Sequence, residues 1–584
     1  MHPEGERQSG CKFASQLVAL AAAPRSRHRS PSLDCAPPLR VAAPSHPSRR
    51  ILSLPGPFRS APRWLLPFFA AALGLAHALA FAPWHLPWLQ VLALAALFAL
   101  AARATTARES ALLGFAFGMG WFGFGVSWVY ISMHTYGGMP MPLAGLATAA
   151  FCAFLALYPA LALGLAKRLA PTSPLLALPA LWAGSEWLRG WLFSGFPWLV
   201  GGYAHSDGPL AGFAPLLGVY GVTLIAALIA ALLAAVIATL LPAAPPKAFV
   251  SAADRRGNRR AGVAAAVLVV VLVGAGQALR AVAWTQAEGE PINVRLVQGN
   301  IAQDMKFSEQ GLQRAIDVHA RLLNAPFNGP SAGARIDLAV LPESVFPLPL
   351  NYLPDTATSA VLGFVREHNA ALVFGVFIED PPGRYFNSAV GLRPEAGQPG
   401  AAPLQRYSKR HLVPFGEFIP WGFRWFVDLM QMPIGDQERG APYQGPMDLA
   451  GQRIAVNICY EDLFGSEIIA AWQVPERAPT LLLNISNLAW FDGSIALDQH
   501  LQISRLRALE TGRPMLRATN TGATAVIDAR GTVVQVLPFR TEAALDAPVR
   551  GYSGTTPYVR WGDWPALLAI VVLALAGVML ARRR

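Results

Sequence analysis

Charge is scarce in this chain: Asp, Glu, Lys and Arg make up 14% of its 584 residues, while 53% are hydrophobic. That ratio, with a positive mean hydropathy, excludes an ordinary soluble globular protein. Cysteine is scarcer still. Four residues, Cys11, Cys35, Cys152 and Cys459, are too few and too scattered for a disulfide framework. Glycine-rich phosphate loops, dinucleotide fingerprints and paired His/Cys metal spacings are all missing, so no cofactor and no metal are expected. Acids are outnumbered 35 to 47, for a net charge of +12. The basic residues lie beside apolar runs rather than in one patch, which points to membrane topology and away from nucleic acid.

Residues 1–60 are rich in Arg, Ser, Pro and Ala and carry no apolar run long enough to span a bilayer. They are expected to be a disordered, dispensable basic tail. From Trp64 the pattern changes to apolar runs of bilayer-crossing length. These predict helices near 64–82, 86–104, 111–132, 142–166, 174–194, 218–242 and 262–281, a seven-helix membrane domain over 64–281. A C-terminal helix at 563–581 makes eight. Lys and Arg mark alternate loops: Arg103 and Arg108, Lys167 and Arg168, Lys247 to Arg260, and Arg582 to Arg584. The loops around His85, His134–Met141 and Gly195–Leu217 have none. Both termini are therefore expected in the cytoplasm, with the segment after the seventh helix outside. Glu186 and Arg189 are spaced to pair on one face of the fifth helix.

Residues 292–550 alternate strand-like and helix-like patterns, the signature of a layered α/β domain. Strands are expected at 293–300, 337–341, 371–379, 453–459, 480–486 and 515–528, and helices at 308–323, 358–368 and 497–511. Three of these segments carry chemistry. The run from Arg453 to Ile458 delivers Cys459 at its end, Leu338 to Leu341 delivers Glu343, and Lys409 stands in Tyr407–Glu417. Singly, each has a plain reading: a packed cysteine, a solvated loop acid, a surface lysine. Together they supply a nucleophile, a base to take its proton, and a cation for a lowered thiol pKa and a developing oxyanion. They are 66 and 50 residues apart, so only a fold brings them together.

Glu343, Lys409 and Cys459 in these flanks resemble the Glu-Lys-Cys triad of the nitrilase (carbon–nitrogen hydrolase) superfamily. His411–Phe418, Ile458–Glu461, Arg507–Glu510 and Arg513-Pro514 are similar to its membrane-bound branch, the apolipoprotein N-acyltransferase family, over residues 64–584. The resemblance implies a polytopic helical membrane domain plus an extracytoplasmic αββα sandwich. It also implies an inner-membrane N-acyltransferase working through a thioester on Cys459. The acyl donor would be a phospholipid and the acceptor the N-terminal amine of diacylglyceryl-modified apolipoproteins. The alternative on the same triad is a membrane-tethered amidase. The chain is expected to act as a monomer.

Flanking residues receive lesser roles. Glu417 and Glu461 are expected to support the triad, and the backbone near Tyr460 to offer oxyanion donors. Trp198, in the family-like Gly195-Phe196-Pro197-Trp198 block, is expected to face lipid, as are Trp421 and Trp425 in an aromatic lid or membrane-dipping arm over 420–440. Two positions depart from the family pattern. Phe307 replaces a common tryptophan as a substrate-facing aromatic, and Leu488 stands where Asp is usual.

Overall fold

In the computed structural model, the described residues are 62–172, 174–240, 255–306, 308–328, 333–395, 404–425, 436–491 and 493–583. All lie in one compact unit, Pro57–Arg584. The 1–60 tail and Phe307 fall outside the described residues, as does 426–435 within the expected 420–440 arm.

Helices occupy all eight apolar runs. Several begin with Pro in the first turn, where a missing N–H costs nothing, and end on Arg or Lys at the negative end of the helix dipole. Their lengths differ from expectation. Among the described residues, four helical spans are long and apolar enough to cross a membrane: Met141–Leu169, Pro209–Thr239, Arg260–Leu279 and Trp564–Arg582. A fifth is reached if Ala107–Gly125 and Val129–Tyr136, bent by 61°, count as one span. Arg63–Ala78 and Pro87–Arg103 are shorter apolar helices, and Pro174–Arg189 has 16 residues. The last stops at Arg189 because its end is turned inward: Arg189 Nη1 donates to the carbonyls of Phe196 and Trp198, drawing the chain back over the helix. Glu186 lies 3.6 Å from Arg189 and accepts from Gly201 N, so the expected buried pair forms.

The α/β part is two stacked sheets. Its strands are β1 (Thr285–Gln298), β2 (Leu338–Val340), β3 (Phe346–Pro349), β4 (Ala371–Glu379), β5 (Tyr385–Leu392), β6 (Gln405–Ser408), β7 (Met447–Leu449), β8 (Gln452–Ile458), β9 (Leu481–Ser486), β10 (Met515–Thr519), β11 (Ala525–Ile527), β12 (Val533–Val536) and β13 (Ala543–Gly554). The first sheet runs β13-β1-β2-β4-β5-β6, with β3 on β4; the second runs β12-β11-β10-β9-β8-β7. Period-two alternation builds the layers. Leu481, Leu483 and Ile485 point into the space between the sheets, with Val294, Leu296, Leu338 and Val340 opposite. Leu482 points outward with Ala455 and Met515, toward Ala508 of the helix Ala496–Thr511. Helices Glu309–Leu323 and Asp355–His368 cover the outer face of the first sheet. This is the αββα sandwich implied above.

Six strands were not legible in advance: β3, β5, β6, β7, β12 and β13. The expected single strand over 515–528 is two, β10 and β11, reversed at Asn520-Thr521-Gly522-Ala523-Thr524 and paired antiparallel.

The sandwich sits on loops of the helical part that contain no Lys or Arg. Ala82 N donates to Gln502 Oε1, Tyr460 OH to Gly195 O, and Trp198 Nε1 to Gln499 Oε1. Val219 N, freed by the non-helical Gly218 (φ 65°), donates to Glu510 Oε1. At the opposite, basic end Thr172 Oγ1 donates to Ala581 O, beside Arg582.

Candidate active site

Glu343, Lys409 and Cys459 converge at the ends of three strands. Glu343 follows β2, Lys409 follows β6 and Cys459 follows β8, each a central or edge strand of one of the two facing sheets. Lys409 Nζ lies 3.3 Å from Glu343 Oε1 and 2.8 Å from Glu417 Oε1. Cys459 is one residue past the end of β8, with φ at 52°, and Ser344 beside Glu343 has φ at 46°. L residues seldom adopt this left-handed backbone, and such strain persists where surrounding structure enforces it.

Each triad group is held by neighbours. Glu343 Oε1 also accepts from Asn387 Nδ2 at 2.7 Å, and its Oε2 accepts from Asn487 N at 2.8 Å. The Asn487 amide N–H also faces the Cys459 sulfur. Glu417 Oε2 accepts from Val413 N, so one carboxylate ties the loop after β6 to the Lys409 ammonium. Glu461 is tied more tightly. Its carboxylate accepts from Ile458 N (2.7 Å), Tyr407 OH (2.9 Å), Arg410 N (2.7 Å) and His411 N (3.1 Å), joining the cysteine strand to the lysine loop. Burial pushes its pKa to about 7, against the pull of these donors.

Lys409 is expected to lower the thiol pKa; that pull is present but outweighed. Burial opposes the Lys409 charge, but Glu343, Glu417 and Cys459 outweigh it and hold its pKa well above that of ordinary lysine. Lys409 pulls the thiol pKa down, yet burial and the Glu343 carboxylate outweigh that pull and raise it. These shifts favour a charged lysine and a protonated thiol, with a carboxylate beside them that can accept a proton.

Sequence reading missed several participants. Asn387 lies in β5, whose only early signal was two polar residues, Asn387 and Ser388, within an apolar run. Lys306 is buried with Nζ 3.4 Å from Glu343 O, and burial lowers its pKa to about 8. Asn487 and His500 carried no motif at all. Among the described residues no group of three or more His, Cys, Asp or Glu side chains is placed to hold a metal.

One expected role is corrected. Trp198 does not face lipid: it is 2% exposed and packs between Trp128 and His500, its indole N–H on Gln499. The loop that carries it is covered by the sandwich, which sequence periodicity does not reveal. The Tyr460 hydroxyl reaches the same interface, donating to Gly195 O. Trp421 and Trp425 do stand out from the surface, at 98% and 64% exposure. Leu488 is buried.

Gly375 of β4 makes room for the acid. A Cβ there would lie 2.6 Å from the Glu343 Cα, from the Pro342 carbonyl oxygen and from Ser344 N. All three are backbone atoms, so Gly375→Ala must displace the Glu343 segment. Its acylation rate is expected to fall by at least ~10-fold, since sub-ångström misplacement of catalytic groups is costly. A variant with the parent rate would show that the segment yields freely.

Residues 73–232 match the model of the apolipoprotein N-acyltransferase N-terminal domain, and residues 293–558 match that of the carbon-nitrogen hydrolases. The chain is 50% identical to the apolipoprotein N-acyltransferase of Ralstonia nicotianae over 521 residues, covering 88% of this chain and 93% of that one. It is 43% identical to the enzyme of that name from Bordetella bronchiseptica, covering 90% and 99%. With the one from Nitrosomonas europaea the identity is 43%, covering 88% and 97%. A strand-end Glu-Lys-Cys cluster in a carbon-nitrogen hydrolase sandwich, seated on apolar helices and similar to these relatives along most of its length, places the chain in the apolipoprotein N-acyltransferase family.

Proposed function

We propose that this chain moves an acyl chain from a membrane phospholipid to Cys459, and then to the α-amino group of an S-diacylglyceryl-cysteine at the start of an apolipoprotein. The observation that carries the reading is the cluster of buried Glu343 and Lys409 with the partly exposed Cys459, lying against loops of a membrane domain. The relatives' name, apolipoprotein N-acyltransferase, supplies the acceptor class.

In the first half-reaction Glu343 takes the thiol proton as sulfur attacks the ester carbonyl. The tetrahedral oxyanion faces the fixed charge of Lys409. The C–O bond then breaks, and the leaving alkoxide takes the proton back from Glu343. A thioester and a lysophospholipid result. In the second, an amine attacks the thioester, its N–C bond forms and the C–S bond breaks. Glu343, again a carboxylate, takes the proton that the attacking nitrogen sheds and passes it to the departing thiolate. An α-amine, with pKa ~7.7–8.0, is appreciably neutral near pH 7, whereas a lysine near ~10.4 is not, which favours the N-terminal acceptor. One chain supplies all three triad groups, so the site is complete in a monomer.

The orientation follows from charge. The loops without Lys or Arg are those that contact the sandwich, while Arg582 lies at the basic end with Thr172. By the positive-inside rule the sandwich is periplasmic and both termini cytoplasmic.

The test supplies an S-diacylglyceryl-cysteinyl peptide to the outside of right-side-out membrane vesicles. An amide on the peptide α-nitrogen is expected, with an N-acetylated peptide bearing a free lysine left unmodified. Release of free fatty acid with neither peptide acylated would replace the transferase by a hydrolase. Acylation only in inverted vesicles would reverse the orientation.

A further inference from the structure

His500 stands between the nucleophile and the helical domain, and nothing in the triad chemistry above uses it. It is fully buried in the helix Ala496–Thr511. Its Nδ1 lies 2.8 Å from Arg517 Nη2. A guanidinium only donates, so Nδ1 is the acceptor and the ring proton sits on Nε2. That Nε2 lies 3.1 Å from the carbonyl oxygen of Cys459 and donates to it. Asn484 Nδ2 donates to the same oxygen at 3.2 Å. Burial and the Arg517 charge hold the His500 pKa well below the usual value, which keeps the ring neutral and in this tautomer. Two donors therefore grip the carbonyl of the one residue in β8's continuation that holds a left-handed backbone, Cys459 at φ 52°.

The other face of the ring is covered from the helical domain. Trp198 stacks on it with centroids 5.7 Å apart and planes at 19°. The preceding residue, Gln499, accepts from Trp198 Nε1 at 2.7 Å and from Trp128 Nε1 at 3.2 Å, and its Nε2 donates to Gly125 O at 3.1 Å. Gln499 and His500 thus meet helical-domain loops on one side and the cysteine on the other.

We infer that His500 is a positioning residue, holding the Cys459 backbone in its reactive conformation through the Nε2–H bond, and that Trp198 couples this hold to the membrane-embedded half. The inference rests on the reading of Cys459 as the acyl carrier. It gives the buried Trp198 a role that lipid contact does not. It also makes the thiol's placement depend on how the sandwich is seated on the loops around Gly125 and Trp198.

The choice of variant separates positioning from packing. In His500→Asn the short amide oxygen takes the place of Nδ1 on Arg517, but no donor from this side chain reaches Cys459 O, which keeps only the Asn484 Nδ2 bond. In His500→Gln the longer amide puts an N–H where Nε2 was. The measurement is the rate at which the acyl mass appears on Cys459 with phospholipid in mixed micelles, as a function of phospholipid concentration, alongside thermal unfolding. His500→Asn is expected to lose ~10- to 100-fold in maximal rate with an unchanged half-saturating phospholipid concentration, and His500→Gln to stay within ~3-fold of the parent. Trp198→Phe, which keeps the stack but drops the Gln499 bond, should lose less than His500→Asn. Equal rates for the Asn and Gln variants, or a loss confined to half-saturation, would overturn the inference. Acyl mass found on a residue other than Cys459 would instead overturn the function on which it rests.

Discussion

Lys409→Ala is expected to slow thioester formation on Cys459 by about 10²–10³, the usual worth of one oxyanion donor. The effect has two sources in this site. The ammonium facing the oxyanion is gone, and Glu343 and Glu417, which share it at 3.3 and 2.8 Å, lose the cation that holds them together. Glu343→Gln acts differently. It keeps the shape but cannot accept a proton, and a loss of about 10²–10⁴ is expected at neutral pH. The sign of the pH dependence separates the two variants. The Glu343 charge raises the thiol pKa, so removing it lowers that pKa, and raising the pH should recover part of the Gln variant's rate. Lys409 pulls the thiol pKa down, so its removal raises it, and the Ala variant should recover less. Acylation of Lys409→Ala at the parent rate would remove the lysine from the mechanism.

Glu461→Ala should be the most damaging change outside the triad. The side chain touches neither Lys409 nor the sulfur through any of its four hydrogen bonds, yet it joins the strand ending at Ile458 to the backbone of Arg410 and His411. Alanine leaves three backbone N–H groups and the Tyr407 hydroxyl without their acceptor in the protein interior. At roughly 1–3 kcal/mol for each buried group left unsatisfied, a stability loss of at least about 3 kcal/mol is expected. Acylation should fall with it, because Cys459 and Lys409 are the neighbours of the residues released. Tyr407→Phe removes one of the four bonds and should cost only about 1 kcal/mol. Thermal unfolding of both variants, with the acylation rate of the surviving fold, checks the ranking. A Glu461→Ala protein as stable as Tyr407→Phe would refute it.

The parts of this protein that obey a period were visible in its residues. The apolar run Leu338–Leu341 and the alternation of Arg453–Ile458 set two strands in facing sheets and delivered Glu343 and Cys459 at their ends, because a strand end is where a side chain leaves the ladder and meets a pocket. The helices Glu309–Leu323 and Asp355–His368 followed from the 3.6-residue spacing of their apolar faces, whereas Ala496–Thr511 is buried on nearly every side, polar residues included, and has no such stripe. What escaped lacks any such period. β5 interrupts its apolar run with Asn387 and Ser388, and those polar residues proved to be site architecture. β12 has a half-exposed edge pattern, and β13 pairs with β1 across 250 residues of chain, which no local signal encodes. Trp198 shows the limit most clearly. An aromatic after an apolar run fits a membrane interface belt, and only the tertiary fold places the sandwich and His500 over it. Helix ends failed for a related reason: the Pro174–Arg189 helix stops where Arg189 finds backbone carbonyls, not where apolar residues end.

The acyl-enzyme itself is the most direct measurement of the central claim. Purified protein is incubated with phospholipid and its intact mass taken, the acylated residue is located by peptide mapping, and a diacylglyceryl-cysteinyl peptide is then added. The account predicts one acyl chain per molecule, on Cys459, absent from Cys459→Ala, and discharged by a peptide with a free α-amine but not by its N-acetylated form. An acyl group on another residue, or a Cys459 thioester that the free amine cannot discharge, would contradict it.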